Sequence, residues 1–123
     1  MLITPNDDGP AVSAPSPQRL RLQKLARQAS LDPDHEDLLV YVFSEPFSGR
    51  PEITRMTQVL ARALEDYVHW DNVNRTYMRP MKRQCDNELT ELQAALCKDV
   101  EAHVIAAWDA VVVHMATLSI LTR

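Results

Sequence analysis

The sequence contains little glycine: 2 of its 123 residues, Gly9 and Gly49, which lie 40 positions apart. Loops that cradle a phosphate need several glycines within six or seven residues, because the backbone must approach the phosphate closely. Two isolated glycines cannot form such a loop. We therefore exclude nucleotide binding through a P-loop or a dinucleotide-binding fingerprint.

Cysteine is equally scarce, and we place both cysteines, Cys85 and Cys97, in one predicted helix. Twelve helical residues span about 18 Å, whereas the Cα atoms of a disulfide lie roughly 4.4 to 6.8 Å apart. Residues 1–16 also lack a basic segment followed by a long apolar stretch, which a secretory signal requires. We expect reduced thiols, with pairing between chains as the alternative, and a cytoplasmic protein.

A strong charge of either sign is absent as well. Thirteen basic and 17 acidic side chains leave a formal net charge of −4, which argues against a protein that coats nucleic acid with its whole surface. Hydrophobic residues make up 46% of the chain and charged residues 24%, as in an ordinary soluble globular domain. A chain of this length has room for one hydrophobic core.

Proline and polar residues divide the chain into two parts. Pro, Ser, Gly and Asp dominate residues 1–16, which predicts a disordered tail. Residues 17–123 are predicted to form a single helical domain. The last proline is Pro80, so the remaining 43 residues can form long uninterrupted helices.

Two pairs of a capping residue and a proline, Ser16-Pro17 and Asp32-Pro33, predict the starts of the first two helices. We place these helices at about 17–30 and 33–44. The second contains the apolar run 38–43, for which a buried strand is the alternative to a helix, because a short apolar run does not determine the period.

A third predicted helix opens at Pro51 and shows apolar residues at steps of three and four. It should end near Met78, because Pro80 disfavours helical geometry in the preceding residue. From Met81 onward the same spacing predicts a helix of about 40 residues, roughly 60 Å long, which must break or project from the body. A strand is the alternative for residues 110–121, on β-branched content.

The second half of that last helix is apolar on every face. Such a helix is buried on all sides, either at the centre of a bundle or under another chain. Asp109 and His114 near its middle argue against a membrane span. We therefore predict a partner-binding surface, with alanines that permit close helix approach, formed by Val104, Ile105, Trp108, Val112, Val113, Met115 and Ile120.

Four cations and an aromatic residue lie between the third and fourth predicted helices, over residues 75–83, which have a local net charge of +4. Such a cluster is able to hold a phosphate, an unpaired base or an acidic protein. The residues of this basic corner are Arg75, Tyr77, Arg79, Lys82 and Arg83.

The sequence carries no catalytic constellation that names a reaction. Di-metal helical bundles use Glu-x-x-His motifs, and none is present, so we predict no metal and no cofactor. Arg62 precedes His69 by seven residues, and this spacing resembles the sparse pattern of HEPN-type helical ribonucleases. The resemblance implies that His69 acts on a ribose hydroxyl or leaving oxygen while Arg62 steadies the phosphate. Ala63 stands where those enzymes usually carry a polar residue.

Taken as a sequence, the chain is predicted to be an all-α four-helix bundle with a disordered N-terminal tail and a long apolar C-terminal helix. The predicted function is that of a non-catalytic protein-interaction module: an adaptor, inhibitor or assembly subunit that also forms a homodimer or larger homo-oligomer. No membrane partner is expected. The alternative is an RNA-binding or HEPN-like ribonuclease domain that uses Arg62, His69 and the basic corner.

Overall fold

The computed structural model describes residues 16–47, 49–85 and 88–123. These residues form helices and connecting turns, with no strand among them, so the chain is all-α. The apolar run at 38–43 is helical as far as Tyr41, and residues 110–121 are helical throughout, so both strand alternatives are wrong. The predicted tail lies outside the described residues, apart from Ser16.

Helices α1 (Pro17–Gln28) and α2 (Pro33–Tyr41) begin at the predicted prolines. The Ser16 hydroxyl accepts the Arg19 N–H, with an N–O distance of 3.2 Å, and the Asp32 carboxylate accepts the His35 N–H at 3.0 Å. Each cap satisfies a backbone donor that the helix itself leaves free.

Helix α1 ends two residues before the predicted boundary, because Ser30 takes a left-handed conformation with φ of 56°. The N–H of Ser30 donates to Arg27 O at 3.1 Å, and the N–H of Leu31 donates to Ala26 O at 3.0 Å. This is the Schellman arrangement, which satisfies the last helical carbonyls and turns the chain toward α2.

Helix α3 (Pro51–Val73) does not end near Met78, so that prediction was wrong. It continues through a π-helical turn at Asn74–Met78 into helix α4 (Arg79–Gln84). The Arg79 N–H donates to Asn74 O, five residues back, instead of four. A proline ring clashes with the carbonyl four residues before it, and the wider turn relieves that clash ahead of Pro80.

The predicted forty-residue helix breaks between Gln84 and Thr90, and helix α5 covers Glu91–Leu121. Thr90 and Gln93 form a capping box: the Gln93 N–H donates to the Thr90 hydroxyl at 3.1 Å, and the Thr90 N–H donates to Gln93 Oε1 at 3.0 Å. The prediction that the two cysteines share one helix is therefore wrong: Cys85 follows α4, and Cys97 lies within α5. Both are free thiols, Cys85 half-buried and Cys97 buried.

The helices pack in a fixed order: α2 lies against α1, α1 against α3, and α3 against α5 along most of its length. Tyr67 contacts Trp108 and Trp70 contacts His103, so α3 and α5 run antiparallel. The larger core includes Leu22, Leu39, Leu60, Leu64, Val111 and Leu118. A smaller cluster of Met78, Cys97 and Val100 joins the π-helical turn to the first half of α5.

Candidate functional site

Helix α5 has one buried side and one exposed side, although its second half is apolar on both. Its buried side packs on α3 and carries Cys97, Val100, Val111, Met115 and Leu118. The neighbouring helices, and not a polar-apolar pattern, decide which residues face inward.

The structure separates the seven residues predicted to bind a partner into two groups. Ile105, Val112, Val113 and Ile120 are exposed, at 61%, 45%, 59% and 58%. The other three face the chain's own interior: Met115 is 3% exposed and belongs to the larger core, Val104 is half-buried, and Trp108 packs on Tyr67 with ring centroids 5.0 Å apart. Burial there raises the pKa of the Tyr67 hydroxyl, and the Asp71 carboxylate raises it further.

Six exposed residues lie along the solvent side of α5 at alternating steps of four and three. This spacing keeps them on one face of a helix, as in the seam of a coiled coil. Ile105 and Val112 flank them. We call the six residues the exposed α5 stripe: Ala102, Ala106, Asp109, Val113, Ala116 and Ile120.

The stripe contains a single carboxylate, Asp109, which is the only Asp, Glu, Lys or Arg between Glu101 and Arg123. Its side chain has no ion-pair partner in the described part of the chain. From the sequence, Asp109 argues only against a membrane span, and Ala102 is not among the predicted partner-binding residues. No sequence signal marks either residue, because every face of a helix that is apolar all round shows the same four-three spacing.

An open groove of about 500 Å³ runs between α3 and α5, beside the stripe. Alanines at its base leave the space that larger side chains would fill. Gln58, Arg62, Asp66 and His114 contribute its polar groups. The lining residues are Gln58, Val59, Arg62, Ala63, Asp66, Ala107, Ala110 and His114.

The basic corner, residues 75–83, spans the π-helical turn and α4, and half of its charge is already paired. Arg75 Nε lies 3.0 Å from Asp71 Oδ2, and Lys82 Nζ lies 3.4 Å from Glu101 Oε2 on α5. Arg79 and Arg83 are exposed and have no ion-pair partner among residues 16–47, 49–85 and 88–123. Tyr77 is 62% exposed. The surface is less positive than its sequence indicates.

Two of the four histidines, His69 and His103, lie against the ring of Trp70. The Trp70 ring stacks on His103 at 4.1 Å and meets His69 edge-on at 5.0 Å. Nδ1 of His103 lies 2.8 Å from Asp99 O on its own helix. Within the described residues, no group of three or more His, Cys, Asp or Glu side chains is placed to hold a metal ion.

By length and composition alone, α5 is able to cross a membrane. The mean hydropathy of its most apolar 18-residue window is 1.9, and 17% of that window is buried inside the structure. The core helix of a soluble protein can pass the same test. The low buried fraction leaves much of α5's apolar surface uncovered by the chain's own helices.

Comparison with protein-family models, curated proteins and solved structures finds no match to this chain.

Proposed function

We propose that the chain is a non-catalytic protein-interaction module, an adaptor, inhibitor or assembly subunit, that binds protein and itself through the exposed side of α5. One observation carries the proposal: Ile105, Val112, Val113 and Ile120 are large apolar residues that remain between 45% and 61% exposed along one helix face. Contiguous apolar patches on a soluble protein mark interaction sites.

The physical reason is the hydrophobic effect: each Å² of apolar surface that a partner covers on this face stabilises the complex by about 25 cal/mol. The alanines of the exposed α5 stripe favour a helix as the covering element, because small side chains at the contact reduce the distance between helix axes toward about 8 Å. A protein that binds in this way acts by occupying a surface of its target and needs no catalytic group.

Protein is favoured over lipid as the covering partner because Asp109 lies in the middle of the exposed face. A carboxylate at the centre of a bilayer costs about 2.5 to 3.5 kcal/mol or more, whereas a protein partner is able to supply a cation or a hydrogen-bond donor. The same proposal includes a cytoplasmic location, which fits two free thiols.

The four-helix bundle belongs to this proposal. In it, α1, α2, α3 and α5 surround the larger core, and the outer side of α5 is the part that a partner completes. The helix order, with α5 packed mainly on α3, supports a bundle that is open at α5.

Replacing Val112 by Asp tests the proposal. A charge on a covered apolar face is costly, so we expect Val112→Asp to raise the dissociation constant for self-association or for partner binding at least about tenfold, while the helical content stays unchanged. Leu92→Asp is the matched control, since Leu92 is a 79% exposed residue at the other end of the same helix.

Sedimentation velocity over a range of protein concentrations measures the self-association of both variants. Wild-type association that Val112→Asp leaves intact would remove α5 from the interface. Binding of the wild-type protein to neutral lipid vesicles would contradict the proposal, because it would identify a membrane, and not a protein, as the partner of this face.

Ribonuclease activity is the second candidate function, and the placement of Arg62 and His69 supports it. Both side chains are exposed on α3, two turns apart and therefore on one face. If this function holds, His69→Ala abolishes cleavage of single-stranded RNA, and the nearby exposed His103→Ala does not. Cleavage that survives His69→Ala removes His69 from any catalytic role.

A further inference from the structure

We infer that the exposed α5 stripe binds a second copy of this chain, antiparallel and centred on Val111, and that Asp109 of each copy pairs with Arg62 of the other. The inference rests on the proposed function and deepens it by naming the partner, the register and the ion pair. Three observations support it: the stripe is complementary to itself, and neither Asp109 nor Arg62 has an ion-pair partner among the described residues.

Only the antiparallel orientation of the stripe avoids a like-charge contact, because a parallel in-register pair would place Asp109 opposite Asp109 of the second copy. When two copies run antiparallel with the two-fold axis at the level of Val111, Ala106 lies opposite Ala116 of the second copy and Ala102 lies opposite Ile120. Asp109 then lies opposite Val113. Every stripe residue therefore meets a stripe residue, as a two-fold symmetric interface requires. Each small residue faces either another alanine or one larger side chain, so the helices can approach closely along the whole seam.

Asp109 needs a cation in such an interface. A carboxylate removed from water without a partner is strongly unfavourable, and the described residues offer Asp109 no ion pair within its own chain. In the register above, Asp109 reaches the level of Val113 of the second copy. The groove that His114 lines in each copy lies at that level.

Arg62 lines the same groove as His114 and is exposed. No carboxylate within ion-pair distance of Arg62 is found in 16–47, 49–85 and 88–123. The α5 helix of the second copy, seated against the stripe and the groove, brings its Asp109 to this guanidinium. Two such pairs, related by symmetry, fix the register, which is the role that polar residues at helix seams serve best.

This arrangement also accounts for the alanine base of the groove. Ala63, Ala107 and Ala110 leave room beside α5 for a second helix. The α3–α5 pair of one copy and the α3–α5 pair of the other would then form a four-helix arrangement between chains.

The test is a charge-reversal cycle on the full chain, with the dimer dissociation constant measured by sedimentation equilibrium. We expect Asp109→Arg and Arg62→Asp each to raise the constant about tenfold or more, because like charges then face each other. The double variant should restore the constant to within about threefold of wild type, which identifies the two residues as a pair. Lys24→Asp on α1 is the control for the change in net charge and should have no effect.

A neutral variant replaces the charge-reversal cycle if a charge-reversed variant does not fold. Asp109→Asn should weaken the dimer if Arg62 of the second copy pairs with Asp109, and strengthen it if the carboxylate lies unpaired in an apolar seam. A strengthened dimer, or a double reversal that restores nothing, overturns the inference. The proposed function stands in that case if Val112→Asp still dissociates the protein, and it fails with the inference if the wild-type protein is a monomer.

Discussion

Replacing Met115 by Asp is expected to unfold the chain. Met115 is 3% exposed and packs in the larger core with α1, α2 and α3. An ionised carboxylate at this position would have no partner, and its desolvation costs several kcal/mol, which is comparable to the total stability of about 5 to 15 kcal/mol of a small domain. From the sequence, Met115 is predicted to bind a partner, so its replacement would weaken binding. Because Met115 lies in the core, the replacement is expected to prevent folding instead.

Circular dichroism at 222 nm during thermal unfolding measures this effect. Val113→Asp is the matched control, because Val113 lies two residues away on the same helix and is 59% exposed. The control should retain the helical signal at 25 °C, and Met115→Asp should lose most of it. If both variants unfold, or if neither does, then Met115 and Val113 do not lie on a core side and a solvent side of α5.

Replacing Leu60 by Ala is expected to lower the free energy of unfolding by about 2 to 5 kcal/mol, the range for a fully buried leucine that leaves a cavity. Leu60 on α3 is 0% exposed and belongs to the larger core. Close packing prevents the neighbouring helices from collapsing fully into the space.

Urea denaturation at one fixed protein concentration measures the change, since association shifts the apparent stability with concentration. Val59→Ala, one residue earlier and 38% exposed, is the control and should cost less than about 1 kcal/mol. A cost at Leu60 no larger than at Val59 would contradict the position of the core between α3 and its neighbours.

The helix starts were predictable because local chemistry determines them. Ser16 and Asp32 each stand before a proline, and their side chains make the capping hydrogen bonds that the pattern indicates. The start of α5 is equally readable, because Thr90 and Gln93 have capping-box spacing. Apolar spacing alone does not reveal a cap, so it does not place the break after Gln84.

Pro80 misled the prediction for a physical reason. A proline usually ends a helix, but a π-helical turn that precedes it widens the helix enough to accommodate the ring, and no residue type signals that turn. Within that turn, Met78 packs with Cys97 and Val100 on α5, a contact between distant parts of the chain that sequence reasoning does not see.

The sequence predicts the helix that carries the candidate site, but not which of its residues face solvent. A helix apolar all round gives no period that separates Met115, in the core, from Val113, in solvent. The charge of the basic corner was likewise not readable from residues 75–83, because the Lys82 partner, Glu101, lies on another helix. Contacts between distant parts of the chain decide both features.

The solution mass of the wild-type chain by light scattering, at two protein concentrations and two salt concentrations, tests the role of the exposed α5 face most directly. We expect a mass of twice 14.0 kDa, or a larger multiple, that persists at the higher salt because apolar contacts are not screened. A mass of 14.0 kDa under all four conditions would contradict self-association through α5.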